Sequence, residues 1–132
     1  MKLDIQSATK ELEAWLDFKK VSPRKREIQK DSIETIVDAL CSGTLSFNEE
    51  GEFVQVLNFP IVTPDNSTDK LTYKKRITVK EVSTQLEKVK NGDIHGMISG
   101  YGAALTGQPR LLIGALDTED FGVVGAIAVF FM

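Results

Sequence analysis

At 132 residues and 42% hydrophobic, the chain is long enough for one domain with a real core and too short for two of ordinary size. Its net charge of -3 argues against a general nucleic-acid binder, which carries a basic excess, so nucleic acid is not an expected partner. The charge is nonetheless uneven, with eight Lys/Arg against five Asp/Glu over residues 1–30 and one against eight over residues 31–70.

Helix signals dominate residues 1–43. Ser7 is positioned to cap a short helix with Leu12, Trp15 and Leu16 on one face, and a break follows at Val21. Ser22 then stands where an N-cap belongs, Pro23 occupies the first helical position, and Gly43 closes the run. Between them Ile33, Ile36, Val37, Leu40 and Cys41 recur at three and four, which makes one apolar stripe. The cations Lys19, Lys20, Arg24, Lys25, Arg26 and Lys30 oppose the macrodipole at that helix start and read as a solvated face.

Residues 44–77 read as β-structure. Leu45 and Phe47 precede a turn at Asn48–Gly51, and Phe53, Val54, Val56 and Leu57 supply the second arm of a hairpin. Pro60 and Pro64 are expected to end it, residues 62–70 to form a mobile surface loop, and Leu71–Ile77 to make a third strand.

From residue 78 onward the pattern is helical again. Thr78 and Glu81 have capping-box spacing, which starts a helix at Val79 that runs to about Lys90. Ile94–Leu105 is rich in Gly and Ala, suited to close packing, and Arg110–Leu116 is a short apolar turn or helix. Asp117 caps the last element, with Glu119 and Asp120 placing acid at its positive end. The sum is one α+β domain over residues 1–132, mostly helical, with a three-stranded antiparallel sheet between N-terminal and C-terminal helices.

The final twelve residues, Phe121–Met132, carry no charge and no polar side chain. Such a segment must be covered, either by its own fold or by something else. It is too short to cross a bilayer, so no membrane role is expected. If it docks, Phe121, Val124, Ile127, Val129, Phe130, Phe131 and Met132 are the candidate partner-binding residues, and self-association into a homo-oligomer is one outcome.

Chemistry-bearing residues are sparse. His95 has no nucleophile setting around it, and Cys41 falls on an apolar stripe where a plain thiol belongs. One His and one Cys so far apart lack metal-ligand spacing, and the glycines fit neither dinucleotide-binding nor phosphate-loop patterns. A non-enzymatic protein with no metal, no cofactor and no small-molecule substrate is expected. The lone Cys41 excludes an internal disulfide, and the N-terminal residues show no apolar run of a signal peptide, which suggests a reducing cytoplasm.

The order of several elements resembles the small tail assembly chaperones of long-tailed bacteriophages. The carrying residues are Phe59 and Pro60, Arg76 and Thr78, Leu105–Gly107, and Leu116 with Asp117 or Asp120, within roughly Phe53–Met132. The resemblance implies a non-enzymatic protein of the infected host's cytoplasm that coats the long helical tape measure protein until tail tube subunits replace it. Two rivals remain open: a structural virion subunit of the tail completion, neck or baseplate kind, and a small nucleic-acid-binding regulator.

Overall fold

The computed structural model describes residues 2–132. Among the described residues the chain order is α1 (Ile5–Phe18), α2 (Pro23–Ile28), α3 (Lys30–Ser42), β1 (Leu45–Phe47), β2 (Phe53–Val62), β3 (Ser67–Thr72), α4 (Val79–Leu86), α5 (Ile94–Thr106), α6 (Arg110–Gly114) and α7 (Thr118–Ala128). The fold is α+β and mostly helical, with an antiparallel sheet of order β1-β2-β3, as expected.

Local chemistry explains most of the boundaries. The first helix starts a turn earlier than Ser7, because Asp4 offers a charged acceptor and its Oδ1 takes the Ser7 N–H at 2.7 Å. Ala8 joins Leu12, Trp15 and Leu16 on the buried face. The same bond holds the Asp4 carboxyl below its ordinary value. At the other end Lys20 N–H donates to Asp17 O and Val21 N–H to Leu16 O, each at 3.0 Å, which is a Schellman closure. Its left-handed position, normally a glycine, is Lys20 at φ 59°.

Ser22 caps and Pro23 opens the next helix as expected, but the run to Gly43 is not continuous. Gln29 leaves helical geometry at ψ 27° and divides it into α2 and α3. The shorter piece buries no residue, so no packing holds it in line with α3, whose Ile36, Ala39 and Leu40 reach the core.

The sheet departs from expectation at its open end. Strand β2 continues through Pro60 to Val62 and β3 begins at Ser67, so the expected loop over 62–70 shrinks to a turn closed by Thr63 and Asn66. Pairing jumps from Val56↔Lys70 to Ile61↔Thr68, which sets residues 57–60 opposite Asp69 alone. A proline without an N–H is tolerated in such a bulge. The third strand correspondingly ends at Thr72, not Ile77, and past it Lys74 N–H turns away to Leu105 O.

In the C-terminal half the Thr78–Glu81 capping box is present, although α4 stops at Leu86 instead of Lys90. A Cβ on Gly102 would stand 2.8 Å from Val124 Cγ1, and one on Gly100 would stand 3.2 Å from the Gln85 carbonyl. The small residues of α5 therefore admit α7 on one side and α4 on the other. One continuous core joins α1, α3, the sheet, α5 and α7.

Candidate functional site

The apolar C-terminal segment is first of all core. Val124 and Ile127 are fully buried and Phe130 is 3% exposed, packed among α1, α3 and the sheet. Of the candidate partner-binding residues, Phe121, Val129 and Phe131 are half-buried, and Met132 is exposed. A partner reaches these four without opening the fold; Val124, Ile127 and Phe130 it does not reach. Aromatic contacts fix the segment: the Trp15 ring lies 6.1 Å from Phe130 and 5.8 Å from Phe131, both edge-on.

Beside this segment the cations of the N-terminal half gather, and they are not the uniform solvated face the sequence suggests. Arg26 is structural, donating through Nε to Val21 O and pairing with Asp17 at 2.8 Å. Lys25 Nζ donates to the Met132 backbone oxygen at 3.1 Å. Lys19 Nζ sits 3.5 Å above the Phe131 ring. Lys20 and Arg76 complete a cleft of about 330 Å³ with walls from Phe18, Ile77 and Phe130. Partial burial, then Lys25 and Arg76, hold the Lys19 ammonium below its ordinary value.

The other singled-out residues do not converge on a reaction centre. Cys41 is half-buried on the α3 stripe, and His95 is exposed at the start of α5 with its ring 6.1 Å from Phe121. Asp117 caps α7 by accepting the Glu119 N–H. Among the described residues no group of three His, Cys, Asp or Glu is placed to hold a metal ion, and no helix is long and apolar enough to cross a membrane.

Asp120 needs a different account from helix capping. It is fully buried, and its two carboxylate oxygens accept the N–H groups of Asn58 at 2.9 Å and Phe59 at 3.1 Å. These are backbone donors that the β2 bulge takes out of the ladder. Its own carbonyl accepts from Gln55 Nε2, and Gln55 Oε1 in turn accepts the Tyr73 hydroxyl. Burial, and secondarily the Asp120 charge, pushes the Tyr73 phenol far up, so it stays a donor. The network leaves no buried side-chain polar atom without a partner among the described residues.

By pinning the bulge, Asp120 presents an apolar rim on the β2–β3 hairpin. Phe59 is 57% and Val62 77% exposed, and Val56 on the same strand is 44% exposed. Sequence reasoning missed this rim because it ended the strand at Pro60; the run of Phe59, Ile61 and Val62 around a proline was the available signal. Comparison with protein families, curated proteins and solved structures finds no match for this chain.

Proposed function

We propose that the chain is a non-enzymatic assembly chaperone that covers the apolar stripe of a long helical partner, the tape measure protein of a long-tailed phage, until tail tube subunits displace it. The observation that carries this reading is the hairpin rim, where Val56, Phe59 and Val62 stand exposed on a rigidly pinned element. Val56, Phe59 and Val62 are three large apolar side chains left in water on one strand, a surface that a partner would cover. Phe59 and Pro60, which carry part of the resemblance to tail assembly chaperones, lie on this rim. The half-buried Phe121, Val129 and Phe131 and the exposed Met132 supply a second apolar contact, and several weak contacts per molecule suit a coat that must later be removed.

The test is co-expression with a tape measure protein encoded in the same genome. The expected result is that the soluble fraction of the partner depends on this chain and is lost with the Phe59→Ser, Val62→Ser double variant, whose folded state is unchanged by circular dichroism. Purified particles should lack the protein. Stable incorporation into particles would instead favour a structural subunit, and a partner equally soluble without the chain would end the chaperone reading.

A further inference from the structure

Two cavities share the Phe18 ring as a common wall. The first, of about 330 Å³, holds Lys19, Lys20, Lys25 and Arg76; the second, of about 260 Å³, is lined by Ala14, Trp15, Phe47 and Gly51, with Glu11 and Lys75 as its charged residues. Lys25 is engaged by the Met132 oxygen, whereas Lys19, Lys20 and Arg76 enter no salt bridge among the described residues. Lys75 Nζ stands 4.1 Å over the Phe18 ring and lines the second cavity, not the first.

We propose that this double cleft is a docking groove for an acidic peptide segment that carries an apolar anchor, the anchor filling the cavity beside Trp15 and Phe47 and its carboxylates meeting Lys19, Lys20 and Arg76. Charge complementarity argues for the occupant: three cations without acidic partners lie together on a molecule of net negative charge. The adjoining apolar cavity distinguishes a peptide from a free anion, since a phosphate would leave it empty. A nucleic-acid strand carries a charge at every phosphate, and the acidic block of residues 31–70 outside the cleft repels it more than a short segment whose carboxylates meet only Lys19, Lys20 and Arg76. Lys20, which lines the cleft, also keeps a left-handed conformation that glycine would adopt without strain.

The experiment uses the full chain and fluorescein-labelled 12-residue peptides read by fluorescence anisotropy. One probe alternates Glu with Leu and Phe, a second replaces every Glu by Gln, a third replaces every Leu and Phe by Ser, and a 12-nucleotide single strand is the fourth. The first probe is expected to bind at least tenfold more tightly than the other three, and to weaken as salt rises. Arg76→Glu with Lys20→Glu should weaken it at least tenfold, and Phe18→Ala should weaken it with the salt dependence kept. Equal binding of the Gln peptide, tighter binding of the nucleotide strand, or full affinity in the charge-reversed variant with unchanged circular dichroism would each overturn the assignment. Outcomes on Phe59 and Val62 do not bear on it, because those residues lie outside the cleft.

Discussion

Asp120 is the residue on which the hairpin's geometry depends, and replacing it gives a quantitative expectation. Its carboxylate accepts two backbone N–H groups, and hydrogen bonds to a charged group contribute about 1.5–3 kcal/mol each. Two corrections reduce the sum. Asn58 and Phe59 are themselves exposed residues, so their freed N–H groups regain water, and removing a fully buried charge relieves its desolvation. The net expectation is a loss of about 2–4 kcal/mol for Asp120→Ala. Asp120→Asn keeps the shape and one acceptor while turning an amide N–H₂ toward a donor, for a loss of about 1–2 kcal/mol. Urea unfolding measures both, and hydrogen exchange at the Asn58 and Phe59 amides reports the bulge directly. An asparagine variant within 0.5 kcal/mol of the parent, with both amides equally protected, would refute the role given to this carboxylate.

Tyr73→Phe strands the buried Gln55 Oε1, and denaturant titration should show a loss of about 1–3 kcal/mol with the fold retained. Phe130 and Phe131 should separate: Phe130→Ser removes a core ring, with a loss of at least about 3 kcal/mol, whereas Phe131→Ser leaves a folded protein with weakened peptide binding, as sedimentation and anisotropy would show. Glu81 is held below its ordinary value of 4.5 first by Lys74 and then by the Thr78 backbone N–H. Its contribution is therefore present above that value and lost as pH falls through the lower folded one. Acid titration followed by NMR should show the first turn of α4 loosening in that window, and Glu81→Gln should flatten the response.

Several boundaries that depended on neighbours within four residues were legible in the sequence, although the start of α1 was not, since Asp4 and Ser7 both offer a cap within one turn. Ser22 with Pro23, Thr78 with Glu81, Asp117, and the left-handed Gly43 all act within one helical turn, and each stands where local chemistry puts it. Boundaries decided by distant partners were not. Pro60 reads as a strand end until Asp120, far along the chain, collects the donors around it, and the break at Gln29 follows from what α3 can bury and α2 cannot. The cleft was equally hidden, because Arg76 joins Lys19 and Lys20 only after the sheet has reversed the chain. A cluster of lysines in one dimension says nothing of which of them will share a wall with a phenyl ring.

The link from Asp120 back to Asn58 spans 62 residues, and it imposes an order on synthesis. A ribosome delivers the hairpin first, and the carboxylate that completes its bulge follows 62 residues after Asn58, with Val124 and Ile127, which close the core, just behind it. Until then the strands lie uncovered and the donors at Asn58 and Phe59 have only water. Closure of the core thus waits on a few contacts of long sequence separation, whose loop entropy must be overcome before they stabilise anything. A product cut short before residue 120 would keep every local helix signal in its first hundred residues and still be unable to shut its interior.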